Sequence, residues 1–375
     1  MERDRGMIRL LLTADYEIFG DGSGCVRWCL NKPTNKLMQV CEWVGTRITF
    51  FVDICEYWAF RQAEDSGILP DEYRPATWIE FQLRDAIKRG HDVQLHFHPQ
   101  WIEYRFESAR KWKVNLKYWR LPFVPGGYGS AKDRTSLLGL FIHGRSTLEK
   151  MLKTVDPEYE CRAFRAGAWC IQPEVEVLRA MYEAGIWYDT TVAPGLSMNN
   201  GLTLFDFSKA PRNLTHWKVR DRIDSVAENG SVCEVPIFTS DINLTTRVFW
   251  KILKKIKRIK NRAERCSGQP ASTTVAETRR RMARDLKRKF SSQVRMFDYC
   301  CATSVEMKTF LKQAQRRFLG DDPSESIPVV AIGHPKSFAN PEELNNFLMW
   351  ARKQKYISLE PLGGPGFWRL NPSCI

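Results

Sequence analysis

Seven short apolar runs recur along this chain with helical patterns between them, and that alternation admits few folds. The runs are MIRLLLTAD, RITFFVD, HDVQLHFHP, CRAFRAGAW, IWYDTTV, SVCEVPIF and IPVVAIGHP. Each is too short for a helix and is bounded by turn-forming or charged residues, as strands are. Between them, PEVEVLRAMYEAG and PEELNNFLMWARKQ read as helices. So does DEYRPATWIEFQLRDAIKRG, which ends on Gly90, a usual C-terminal cap. Strands alternating with helices predict an α/β fold with a parallel sheet. Nothing recurs at a fixed period over the 375 residues, which fits one domain spanning residues 1–375.

The polar residues fall at particular places in that pattern. Asp15, Glu17, His96, His98, Arg165, Asp189 and His334 lie at or just beyond the carboxyl ends of predicted strands, where α/β barrels and open sheets gather their chemistry. Singly, each has an ordinary structural reading: Asp15 as a turn cap, Arg165 as a partner for any acid, His334 as a turn residue before Pro335. Those readings weaken as the set grows. His96 and His98 are two apart, so a strand turns both to one face. Such a pair either chelates one ion or satisfies itself by hydrogen bonds on a polar sheet edge, and the fragment alone leaves both open. Glu17 shares a face with Asp15, whereas strand period sets His91 opposite His96, in a structural role.

Charge is concentrated in one segment. From Arg247 to Phe290, sixteen Lys or Arg stand against three acids, a net of +13 in a chain of formal net charge +14. Val248, Phe249, Ile252, Ile256 and Ile259 recur there at helical spacing among lysines and arginines, which predicts a basic amphipathic helix. CSGQPAST breaks it, and a second basic helix is expected from a cap at Thr273 or Thr274. Residues 242–320 read as a basic helical insertion before the last strand. The segment suits a solvated helical pair or attachment to an anionic membrane through residues 247–290. Nucleic acid fits least, because no recognised nucleic-acid module accompanies the charge.

With 43% hydrophobic residues and 13 tryptophans the chain is too apolar for a disordered protein. Aromatics in such number suit carbohydrate or membrane-interface contacts as well as core packing. The first apolar run is too short for a signal-peptide core, and no stretch of about eighteen apolar residues exists to span a bilayer. Eleven cysteines without a C-x-x-C pair fit reduced thiols and a cytoplasmic protein.

The order of these blocks resembles that of the polysaccharide deacetylases, the NodB-homology group or carbohydrate esterase family four. TADYE (13–17) resembles the first motif and TFF (49–51) the second strand. GHDVQLHFHP resembles the histidine motif, FRAGAW (164–169) the arginine motif, YDTT (188–191) the aspartate motif and AIGHP (331–335) the final histidine motif. The resemblance runs from about residue 8 to residue 337. Two departures stand out. The family spaces its metal histidines four apart, and here they are two apart, in an L-H-x-H-P form associated with a divergent branch near surface-polysaccharide genes. The second aspartate of the first motif is Tyr16, and Glu17 is the candidate replacement.

The resemblance implies a distorted (β/α)7-type barrel and metal-dependent removal of an N-acetyl or similar acyl group from a sugar. It implies a divalent ion, Zn2+ first and Mn2+, Co2+ or Ni2+ as substitutes, on His96, His98 and a carboxylate, Glu17 or Asp15. By position Asp15 matches the general base, Arg165 the group that orients it and His334 the general acid; Asp189 matches the acid that fixes the His334 imidazole. Without an export signal, the expected substrate is a sugar nucleotide or a lipid-linked sugar of surface-polysaccharide, O-antigen or related glycan biosynthesis, met in the cytoplasm or at the inner membrane face. Two other readings remain: a catalytically inactive relative that binds glycan or lipid, and a C–N hydrolase of the same fold acting on a non-sugar.

Overall fold

Strand β1 (Met7–Tyr16) sets the two faces of the sheet. Its even-numbered Ile8, Leu10, Leu12, Ala14 and Tyr16 enter the large core between sheet and helices, while Leu11 belongs to a smaller core on the opposite face. A period of two separates them and leaves Thr13 and Asp15 on the face of Leu11. The computed structural model describes residues 6–257, 293–320 and 325–363.

Helix α1 (Lys32–Trp43) leads to β2 (Thr49–Asp53), and helices α2 (Ile54–Asp65) and α3 (Pro75–Lys88) lead to β3 (Asp92–Phe97). A hairpin, β4 (Tyr104–Ser108) and β5 (Lys111–Val114), precedes α4 (Leu137–Leu152) and β6 (Ala163–Ala166). Helix α5 (Val175–Glu183) then feeds β7 (Tyr188–Asp189), followed by a small hairpin of β8 (Ser197–Asn199) and β9 (Leu204–Asp206). Next come β10 (Trp217–Val219), β11 (Val232–Glu234), β12 (Thr239–Ile242) and α6 (Leu244–Ile256). The last elements are β13 (Gln293–Met296), α7 (Ser304–Phe318), β14 (Ser326–Gly333), α8 (Pro341–Ala351) and β15 (Ile357–Glu360).

The main sheet runs β10–β11–β7–β6–β3–β2–β1–β14, with β15 added beside β1. All of its neighbours are parallel except β10 and β11. The sheet curls until its ends approach: just past β11, the Ile237 N–H donates to Val192 O at 2.8 Å and the Phe238 N–H to Val330 O at 3.0 Å. Each of the seven apolar runs supplies one strand of this curled α/β sheet, β1, β2, β3, β6, β7, β11 and β14.

Between residues 101 and 145 the composition suggests a long loop with a short helix, and the structure differs. The β4–β5 hairpin forms there because Trp112 is buried against Phe60, Trp101 and Phe106, and α4 runs for sixteen residues. Of the basic segment, α6 is described, while the second basic helix expected near Thr273 lies outside the described residues. Cys25, Cys29, Cys41, Cys55, Cys161, Cys170, Cys300 and Cys301 are free thiols, but Cys233 is disulfide-bonded, so the cysteines are not uniformly reduced. Among the described residues, no helix is long and apolar enough to cross a membrane.

Candidate active site

Strand parity carries the polar residues of five strands into the concave side of the curled sheet, at its carboxyl end. Arg165 of β6 is fully buried there and each nitrogen of its guanidinium donates at least one hydrogen bond. Nη1 donates to Asp15 Oδ1 at 2.6 Å, Nη2 to Thr13 Oγ1 at 2.9 Å and to Thr190 Oγ1 at 3.2 Å, and Nε to Thr190 O at 2.9 Å. A planar fork of donors suits such a clamp where a lysine would not. Burial raises the Asp15 carboxyl, but Arg165, His96 and His334 outweigh it and hold Asp15 below the usual carboxylate range. The group is therefore an ionised carboxylate near neutrality.

Beside it, Glu17, His96 and His98 form a buried cluster whose potential ligand atoms all lie within 4.8 Å of one another. Glu17 Oε2 is 2.5 Å from His98 Nε2 and 3.8 Å from His96 Nε2. The His96 Nδ1–H donates to the Arg165 carbonyl at 2.7 Å, which fixes the tautomer and leaves Nε2 as a buried acceptor with no hydrogen-bond partner. An imidazole anchored through Nδ1 with a bare Nε2 turned to a carboxylate and a second imidazole is the arrangement of a metal ligand. Two imidazoles and one carboxylate match a catalytic zinc set, so the residues fit the divalent ion that the resemblance implies.

Of the two carboxylates considered for that ion, Glu17 meets the histidines, while Asp15 faces Arg165 and His334. Tyr16 between them points into the helix-side core and donates to Gln82 Oε1 at 2.8 Å. Glu17 Oε1 accepts from Lys336 Nζ at 2.6 Å. Burial raises the Glu17 carboxyl, but His98 and Lys336 hold it well below its ordinary range.

His334 follows β14, with Nε2 at 3.5 Å from Asp15 Oδ2 and 3.9 Å from Glu17 Oε1. Burial lowers its pKa, against the opposing pull of Asp15. Asp189, which the resemblance matches to the acid that fixes this imidazole, does not pair with it. Its carboxylate accepts the Thr191 N–H at 2.7 Å and hydroxyl at 3.0 Å, and it faces Glu234 of β11. Burial raises both carboxyls of that pair, and Glu234 well above its ordinary range. The further acid electrostatically coupled to His334 is Asp298, in the segment after β13 that bridges Ile332 of β14. Burial raises Asp298, and His334 is the strongest influence opposing that rise.

The supports of the two histidines carry no motif in the sequence. The Asp53 Oδ1 at the end of β2 accepts the His98 N–H at 3.0 Å, and the Gln100 amide sits 3.0 Å from His98 Nδ1. Trp119 stacks edge-on against His98 with ring centroids 5.9 Å apart, and it is held by its indole N–H on Thr203 Oγ1 at 3.1 Å. Gly167 of the arginine motif has a steric reason: a Cβ there would lie 2.3 Å from Phe97 O and 2.8 Å from the His98 ring. Lys336 was open to notice, two residues after His334. Nothing in the sequence distinguishes Trp119 from twelve other tryptophans. His91 has the structural place that strand period assigns it: its Nδ1 accepts the Ile48 N–H at 3.2 Å and its Nε2 meets Glu42 at 2.8 Å.

No protein-family model matches the chain, and no curated protein matches it. Among solved structures, the chain is similar to the 4-alpha-glucanotransferase of Thermococcus litoralis, with a TM-score of 0.47 and 11% identity, over 95% of this chain and 39% of that one. It is similar to a Mycobacterium smegmatis protein assigned as a polysaccharide deacetylase, with a TM-score of 0.43 and 11% identity, over 95% and 88% of the two chains. A Pseudomonas aeruginosa protein assigned likewise gives 0.41 and 10%, over 94% and 88%.

Proposed function

We propose that this chain is a metal-dependent hydrolase that removes an acetyl or similar acyl group from a sugar. One observation carries the reading: the bare, buried Nε2 of His96 faces Glu17 and His98 next to a carboxylate, Asp15, held ionised by Arg165. Glu17, His96 and His98 would hold the ion. When bound, a divalent ion such as Zn2+ supplies Lewis-acid polarisation of an acyl carbonyl and makes water more acidic. Asp15 accepts the proton of the attacking water, and Arg165 keeps it anionic and aimed. His334, 3.5 Å from Asp15, donates a proton to the departing amine, which is a poor leaving group until protonated. Asp298 is a further acid whose charge is coupled to that imidazole. Trp119 offers an aromatic face to a sugar ring.

In this reading the curled sheet is a distorted (β/α)7 barrel, and the substrate is a nucleotide-linked or lipid-linked sugar of surface-polysaccharide, O-antigen or related glycan assembly. The enzyme acts in the cytoplasm or at the inner membrane face. Zinc is the first choice of ion, with manganese, cobalt or nickel as substitutes.

A second reading, a glycan-binding protein of this architecture without activity, has one observation in its favour. The Lys336 ammonium already neutralises Glu17 at 2.6 Å. Release of acetate from acetylated nucleotide sugars and acetylated lipid-linked sugars, before and after chelation and zinc replenishment, separates the two. Zinc-dependent release supports the hydrolase; glycan binding without release in any metal state favours the second reading.

A further inference from the structure

Helix α6 is built with its faces exchanged. Arg247 and Trp250 are its buried residues. Trp250 packs against Phe310 with centroids 5.9 Å apart, while Lys254 and Lys257 pair inward with Glu306 at 3.0 Å and Glu343 at 2.7 Å. The apolar residues turn away from the domain. Val248, Phe249, Ile252 and Ile256 are 47%, 53%, 53% and 72% exposed. At 3.6 residues per turn they fall within an arc of about 100°. Among the described residues, every other helix presents at most two large exposed hydrophobics, the scattered distribution expected of an ordinary surface.

We infer that this outer face of α6 docks on an anionic membrane surface. Among the described residues the stripe stays exposed, because the helix is anchored through its opposite side. Exposed Lys251 and Lys255 run along one edge of the stripe, and they belong to the segment with sixteen basic residues against three acidic ones. Apolar side chains inserted at the headgroup boundary with lysines reaching anionic lipid is the chemistry of an interfacial helix. A second copy seated on the same face would set one strongly basic segment against another, and a nucleic acid would have no use for the stripe. The placement does not depend on the catalytic reading, although it bears on it. The inner side of α6 lines a cavity of about 320 Å3 with Arg295 and Asp298, the acid coupled to His334. A docked α6 thus brings the lipid surface next to the candidate active site.

The test is flotation of the full chain with phosphatidylcholine vesicles, with and without phosphatidylglycerol. Wild type should float only with the anionic vesicles and be released by salt. Phe249→Ser with Ile252→Ser, and separately Lys251→Glu with Lys255→Glu, should each lower partitioning by about tenfold or more. Phe81→Ser, on α3 and 67% exposed, should leave it unchanged. All of these side chains are exposed, so unfolding curves should coincide with wild type and exclude misfolding as the cause. Absence of wild-type flotation, or flotation that the Phe249 and Ile252 changes leave intact, would overturn the inference. A concentration-dependent dimer abolished by those changes, without vesicle binding, would overturn it in favour of a second copy.

Discussion

Arg165 grips Asp15 at 2.6 Å through Nη1, and its own carbonyl accepts the Nδ1–H of His96 at 2.7 Å. One residue of β6 therefore fixes both the candidate base and a candidate metal ligand. Removing the guanidinium leaves the buried Asp15 charge with only His334, 3.5 Å away, as its ion-pair partner among the described residues, a change that costs up to about 3–5 kcal/mol. Arg165→Met should lose stability on that scale in urea unfolding at pH 7, and Arg165→Lys should recover only part of it because an ammonium cannot span Asp15, Thr13 and Thr190 together. Stability equal to wild type in Arg165→Met would show that the clamp contributes nothing.

Glu17 and Asp15 are two residues apart but face different partners, which gives them separable roles. Glu17→Gln should abolish bound zinc, measured by mass spectrometry on the purified chain, as His96→Ala should. Asp15→Asn should retain about one ion per chain and lose at least about a hundredfold in turnover, the scale of a missing general base. Loss of metal in Asp15→Asn with retention in Glu17→Gln would reverse the assignment.

At Gly167 the main chain passes so close to His98 that a methyl group would overlap Phe97 O and the imidazole. Both obstacles belong to β3 and the residue that follows it, which carry the two histidine ligands, so relief displaces either those ligands or the Gly167 turn. Gly167→Ala should lower metal affinity by about 10–100-fold, the usual penalty for disturbing the support of a ligand. Zinc competition with a chromophoric chelator reads this directly, and an unchanged affinity would mean that the loop yields instead.

The seven strands and the places of the site residues were legible because a period of two is written into apolar runs and fixes which side chain faces which core. That is why Asp15, Glu17, His96, His98 and Arg165 converge as their parity requires. Partnerships across the sheet were not legible. The carboxyl facing Asp189 comes from Glu234, and the one coupled to His334 from Asp298; both depend on how neighbouring strands are ordered, which no local pattern encodes. The β4–β5 hairpin escaped notice for a related reason, since its core is one tryptophan, Trp112, buried by distant aromatics. Periodicity likewise identified α6 as amphipathic without saying which face meets the domain.

Asp92, at the start of β3, lies outside the site and offers a test of burial alone. Its carboxylate accepts from Gln94 Nε2 and from the Gly363 N–H, both at 2.9 Å. Those bonds fail to offset burial, which pushes the group from 3.8 up to about 6. Below about pH 4 the carboxyl is protonated in folded and unfolded chains alike, and it costs nothing. As pH rises from about 4 to 6 the unfolded chain ionises first, so unfolding releases a proton and stability falls; above about 6 the loss is complete. The gap between the two values corresponds to about 3 kcal/mol. Asp92→Asn cannot ionise and loses one acceptor lone-pair arrangement at every pH, a constant penalty of about 1–2 kcal/mol. The difference in unfolding free energy between variant and wild type should therefore move in the variant's favour by up to about 3 kcal/mol between pH 4 and pH 7, with the titration of all other groups cancelling. A difference that stays flat over that range would show that Asp92 ionises as freely in the folded chain as in the unfolded one.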